Sequence, residues 1–292
     1  MELDWAVGEI LGTLDRLNLT DNTVVLFTSD HGPARYIYDE STGEYQGGWP
    51  GIYRGGKSNN YEGGIRVPMV VQWPHVLSPG LEIDRVTSHL DLFPTLLSMT
   101  DTAYNGYEHK DIKDGDNNNA NSAGKGDISV LDGMDITNNL KGNEVNQPSS
   151  NEVPYRVLFH YCGVDIHAVT IDEKSRHDNN EGTVWKVHFM VARPELEGGF
   201  ASCYGSESII NLGFERPTIY DLIQSPSEDQ PLKEDALDYA RIRDLAVRSA
   251  LAFNRTVDYS VPNQLSREMN SGSLFTPERA PCCGGPYPFC HC

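Results

Sequence analysis

Long apolar runs are missing from this 292-residue chain: the best, Val67 to Val71, falls far short of the roughly 18 residues needed to cross a bilayer. No membrane span is therefore expected. Basic residues are also scarce, 23 against 42 acidic ones, and the resulting charge of −19 disfavours nucleic acid and anionic membrane surfaces as partners. An anionic substrate would need a local cationic pocket. The acidic excess gathers in segments such as Asp111 to Asp116 and Ser225 to Asp235, which are expected to be solvated surface. The opening residues, MELDWAVGEILGTL, lack the positive start and compact apolar block of a secretory leader.

What is present suffices for a folded protein. With 38% hydrophobic and 22% charged residues the chain can bury a core, and its length suits two units better than one. Four of the six cysteines crowd the end as Cys282, Cys283, Cys290 and Cys292, with Cys162 and Cys203 upstream. A zinc site using His291 is one reading, but adjacent cysteines lack the usual two-residue gap, and disulfides are favoured. The sequons Asn18-Leu-Thr20 and Asn254-Arg-Thr256 fit the same oxidising compartment. Export-type chemistry without an export signal leads to the expectation that Met1 marks a truncation and that the true amino terminus lies upstream.

Leu3, Val7, Ile10, Leu14 and Leu17 recur at alternating steps of four and three, predicting a helix with one packing face. Asn22 to Ser29 follows as a β-branched run of the kind buried on both faces of a parallel sheet. Arg66 to Trp73 reads as a second buried strand with its proline at the start. A helix is predicted near Asp91, as its N-cap, with Leu92, Leu96 and Met99 inward. Residues 102–127, rich in Asn, Asp, Gly and Lys, read as a disordered insertion. A second polar stretch, from Lys141 to Asn151, marks a boundary between units 1–143 and 152–292. Beyond it, residues 156–161, 166–171, 183–192 and 218–222 predict an antiparallel sheet, covered by a helix within Leu232 to Phe253.

Asp30 and His31 come directly after the first strand and before Gly32, a place where ligands bind in α/β sheets. A carboxylate and an imidazole side by side can face one divalent cation, while a solvated turn explains the same tripeptide. The segment Gly51-Ile-Tyr-Arg-Gly-Gly-Lys57-Ser-Asn-Asn-Tyr-Glu-Gly-Gly-Ile-Arg-Val-Pro68 places a lysine between two glycine pairs. Such pairs let a backbone approach a ligand closely, and the ammonium can oppose a departing oxyanion.

Together with Leu90-Asp-Leu-Phe-Pro-Thr95, Leu158-Phe-His-Tyr-Cys162 and the closing Cys282-Cys283 and Cys290-His-Cys292, these motifs resemble the sulfatase family, in its steroid sulfatase and arylsulfatase branch. The similarity runs through nearly the whole chain except the Asn-rich insertion. It implies an alkaline-phosphatase-like α/β fold, incomplete at the amino end, with a smaller carboxy-terminal domain of antiparallel sheet plus helix. It also implies metal-dependent hydrolysis of a small-molecule sulfate ester to alcohol or phenol plus sulfate, in the endoplasmic reticulum, lysosome or extracellular space. By position, Asp30 and His31 resemble ligands of the active-site calcium, and Lys57 resembles the lysine that contacts sulfate. The resemblance further implies pairing of Cys282 with Cys290 and of Cys283 with Cys292, and it is compatible with Cys162 joined to Cys203.

Two departures qualify the resemblance. No cysteine or serine begins the Cys-x-Pro-x-Arg signature from which the family's formylglycine nucleophile is made. That segment, like the family's paired acidic ligands, is expected upstream, so the chain alone should be inactive. His31 stands where the branch carries an amide, and imidazole suits zinc or manganese better than calcium. A metal-dependent phosphodiesterase or phosphatase of the same superfamily is thus the rival enzyme, and a non-catalytic binding domain the rival from another class. Substrate identity and oligomeric state are not legible.

Overall fold

In the computed structural model, residues 2–100, 132–142, 155–162, 165–173, 182–193 and 209–257 are described. The Asn-rich insertion, Cys203 and the four terminal cysteines lie outside them. Residues 1–250 form one compact unit and 251–292 a second.

The amino-terminal region begins with helix α1 (Glu2–Arg16), where the 3.6-residue spacing of its apolar positions predicted it. Its expected packing face is not buried: Leu3, Ile10 and Leu17 are about 60% exposed. Strand β1 (Val25–Thr28) pairs antiparallel with β4 (Met69–Gln72), Leu26 opposite Val71 and Phe27 opposite Val70. The apolar run suggested instead a strand in a parallel sheet, buried on both faces. Here the two strands form a two-stranded sheet with Phe27 and Val70 outward, because no described layer covers that face. A hairpin of β2 (Ala34–Asp39) and β3 (Glu44–Gly47) adds a pair that hydrophobic patterning did not reveal. Gly43, at φ +72°, closes its turn by donating its N–H to Asp39 O.

Helix α3 (Leu92–Met99) begins as expected, with Pro94 in its first turn, but Asp91 is no simple N-cap. Ser88 caps a preceding turn reciprocally with Asp91. The fully buried Asp91 carboxylate also accepts from Met134 N–H and, through both oxygens, from Arg156 Nη2 at 2.6 and 2.7 Å. Leu96 points out, 43% exposed, and Thr95 points in, where its hydroxyl oxygen accepts from Ile136 N just ahead of α4 (Thr137–Leu140).

The antiparallel sheet predicted for the carboxy-terminal half is present in the order β10-β7-β6-β5, from β5 (Arg156–Cys162), β6 (Asp165–Asp172), β7 (Val184–His188) and β10 (Thr218–Asp221). The long strand expected over 183–192 breaks at Phe189, and β8 (Met190–Ala192) pairs separately with β9 (Ile209–Asn211). Helix α5 (Leu237–Asn254) buries Tyr239, Ile242, Leu245 and Ala246, whereas Leu237 and Ala240 stay outside. It is tied to the sheet by the Tyr239 hydroxyl, which donates to Pro217 O, and by Arg241, which pairs with Glu173.

The sheet's two faces differ in chemistry. Val169, Ile171, Trp185, Val187 and Ile219 are buried apolar groups, as expected of core strands. Thr170, Lys186, His188 and Tyr220 occupy the alternate positions and form a buried polar face. That polar face meets the glycine-rich loop.

Candidate functional site

Asp30 and His31 leave the end of β1, and their side chains meet, Asp30 Oδ2 lying 3.2 Å from His31 Nε2. His31 Nδ1 sits 2.7 Å from Gly32 O. A carbonyl only accepts, so Nδ1 carries the hydrogen, and in the neutral ring Nε2 directs a lone pair toward the carboxylate. Two acceptors facing each other need a proton or a cation between them. With bonds of about 2.0–2.3 Å, one metal ion is bridged by donors at such a separation, and a backbone carbonyl holding the other ring nitrogen is the usual support of a metal-bound histidine. The residues therefore fit a divalent ion. Among the described residues no group of three or more His, Cys, Asp and Glu side chains is placed to hold one.

Backbone bonds stitch this turn to the lysine loop. Gly32 N–H donates to Gly64 O, and Lys57 N–H to Pro33 O, both at 2.8 Å. The glycines explain how two chains come so close. A Cβ on Gly32 would lie 1.8 Å from Gly63 O, one on Gly56 2.7 Å from Pro33 O, and one on Gly64 2.3 Å from Asn59 O. The contact they permit here is backbone with backbone. Ser58, directly after Lys57, is held at φ +78°, a strained conformation for a residue with a Cβ.

The far side of the loop reaches the polar face of the sheet through residues the sequence reading did not single out. Glu62, in the short helix α2 (Glu62–Ile65), takes Lys186 Nζ at 3.2 Å on its side chain, and its backbone N–H donates to Glu228 Oε2 at 2.6 Å. His188 Nε2 lies 2.7 Å from Glu228 Oε1, and Arg54 donates to the Glu228 carbonyl at 3.1 Å while stacking on the Tyr61 ring. Burial lowers the His188 pKa in spite of Glu228, so the neutral ring donates. Burial opposes the Glu228 carboxylate, but the bond from His188 and the charge of Lys186 outweigh it and hold the pKa below the usual value. Glu228 belongs to the stretch expected to be solvated, yet it is fully buried. Lys186 and His188 did leave a signal, two polar residues two apart in an otherwise apolar strand.

Two family models match the chain: "Sulfatase" over residues 1–102 and "C-terminal region of aryl-sulfatase" over residues 153–292. The chain belongs to the sulfatase family. Arylsulfatase D of Homo sapiens is 34% identical over 300 residues, covering all of this sulfatase chain and 44% of the relative. Steryl-sulfatase of Rattus norvegicus is 35% identical over 91% of this chain and 41% of its own length. The chain thus spans less than half the length of these curated relatives. The PsFucS1 sulfatase from Pseudoalteromonas sp. superposes with a TM-score of 0.58 at 20% identity, over 86% of this chain and 40% of that one. The sulfatase fold expected from the motifs is the fold observed.

Proposed function

We propose that this chain forms the carboxy-terminal part of the active site of a sulfuric ester hydrolase, with Lys57 as a catalytic residue and Asp30 and His31 as metal ligands. The observation that carries this is the stitching of the Asp30-His31 turn to the Lys57 loop, which keeps the backbone of the proposed metal donors beside the backbone of the lysine. A divalent ion held by Asp30 and His31 would neutralise sulfate charge and lower the barrier to attack at sulfur. Lys57 places an ammonium against the sulfuryl oxygens or the departing alcohol oxygen, where charge grows in the transition state. The formylglycine nucleophile and the remaining ligands belong, on this proposal, to polypeptide outside these residues, and the chain alone does not turn over. The division into units 1–143 and 152–292 is part of the same proposal.

The test is hydrolysis of an aryl sulfate by the full-length protein. Lys57→Ala is expected to lower kcat about 10²- to 10³-fold, the usual cost of removing a group that stabilises a developing oxyanion, with the fold intact by circular dichroism. Unchanged turnover would remove Lys57 from the mechanism. Asp30→Ala should lose bound metal by elemental analysis, and full retention refutes the ligand role.

Calcium is the first expectation for the ion, but the imidazole of His31 favours zinc or manganese, and with them a phosphoester hydrolase. Parallel assay on an aryl phosphate separates the two. A secretory-pathway location is supported by the six cysteines, by the disulfide at Cys162 and by the exposed turn that carries Asn18.

A further inference from the structure

Glu228 lies more than 160 residues from the lysine loop in sequence, yet it touches that loop on both sides of Lys57. Its carboxylate receives the Glu62 backbone N–H at 2.6 Å, five residues after the lysine. Its carbonyl receives Arg54 Nη1 at 3.1 Å, three residues before it. The loop closes on itself between these two points, Gly63 N–H donating to Arg54 O at 2.7 Å. The second carboxylate oxygen takes His188 Nε2 from β7, so the pincer is anchored in the core of the sheet.

Two features set Glu228 apart from an ordinary surface turn. The side chain is completely buried, and the backbone sits at φ +53°, where a residue with a Cβ is strained. A turn that only connects β10 to α5 would satisfy itself with glycine or asparagine at that position and with a carboxylate in water. Here strain and desolvation are both tolerated, and the residues that benefit are those flanking Lys57.

We propose that Glu228 is a positioning residue for the sulfatase reaction: with Arg54, Glu62 and His188 it fixes the loop so that the Lys57 ammonium is held in its working place. This rests on Lys57 being catalytic, as proposed above. Glu228 itself touches no reacting atom. It acts through the backbone of the loop, and the metal-donor turn shares in the order because Gly32 and Pro33 are bonded to the same loop.

A double-mutant cycle on the full-length enzyme tests this. Glu228→Gln keeps the shape but weakens the acceptor toward Glu62 N–H, and kcat for an aryl sulfate is expected to fall about 10-fold or more with KM changed less than about twofold. In a Lys57→Ala background the same substitution should change kcat less than about twofold, since the group it positions is gone. A purely structural role predicts equal effects in both backgrounds, and that result overturns the proposal.

Amide hydrogen exchange gives a readout that needs no activity. The amides of Lys57 and Gly63 should exchange roughly tenfold faster in Glu228→Gln while those of Val169 and Val187 keep their protection. Unaltered exchange at Lys57 and Gly63 also overturns the proposal. An enzyme without sulfatase turnover would count against the proposed function, and exchange would still decide the role of Glu228. Where Glu228→Gln does not fold, Arg54→Met removes the other arm of the pincer and carries the same comparisons.

Discussion

At the scale of single residues, the glycines show what was legible and what was not. Two pairs around Lys57 stood out in the sequence, but their purpose depends on which chain lies opposite, and that is a property of the fold. The same spacing would have suited a phosphate or a metal-bound substrate. Gly32→Ala should be destabilising, because the new Cβ would sit 1.8 Å from a backbone oxygen that cannot move without breaking the stitch. A loss on the order of 1–3 kcal/mol is expected from such overpacking. Gly8→Ala, in the interior of α1 with nothing within 4 Å of the new methyl, should instead gain about 0.5–1 kcal/mol from helix propensity. Thermal melting of the two variants should give shifts of opposite sign; a rise in Tm for Gly32→Ala would contradict the close approach. Glu228 was missed for a related reason. Acidic residues in a Ser- and Pro-containing stretch are mostly solvated, and only a distant lysine, histidine and backbone amide make this one internal.

At the scale of elements, strands β5 to β7 and β10 were readable because alternation and turn residues are local, whereas the partners of β1 were not. A continuous apolar run does not say which strand will lie beside it. The histidines on β5 to β7 make the sheet sensitive to acid. Burial pushes the pKa of His160, His167 and His188 down, with Lys186 adding to the effect at His160 and His188 and Asp165 opposing it at His167. Folded pKa values thus lie below the unfolded value of about 6.5, so between the two the unfolded chain binds more protons. The histidine contribution is fully present above about pH 6.5 and is lost as pH falls from there through the folded values. Glu228 acts in the same direction at lower pH, its stabilisation present above the usual carboxylate value and lost as pH drops through its depressed one. Differential scanning calorimetry should therefore give a lower Tm at pH 5.5 than at pH 7.5. His160→Gln, which can still bond Thr170, should flatten that slope; equal Tm values at both pH values would show that the buried rings do not titrate as argued.

For the whole molecule, the apolar face of α1 and the outward Phe27 and Val70 are exposed together with a formal charge of −19. The first favours self-association of the isolated chain and the second resists it. Charges separated by more than about 8 Å are screened at physiological ionic strength, while apolar contacts are not. Sedimentation of the 292-residue chain should accordingly show association that increases with salt, and replacement of Leu3 and Ile10 by lysine should reduce it; a monomer at all salt concentrations would contradict this. The helix periodicity marks one apolar face of α1, and that face is left uncovered among the described residues. The reach of Glu228 to Glu62, and of Lys186 to the same Glu62 across 124 residues, also has a meaning for how the protein is made. The lysine loop is translated before the groups that shape it. Those groups reach the loop only once the sheet and the turn after β10 have been translated and folded back over it. A chain stopped between Pro68 and Glu228 would keep every motif by which this family is recognised around Lys57 and still leave that lysine without a fixed place.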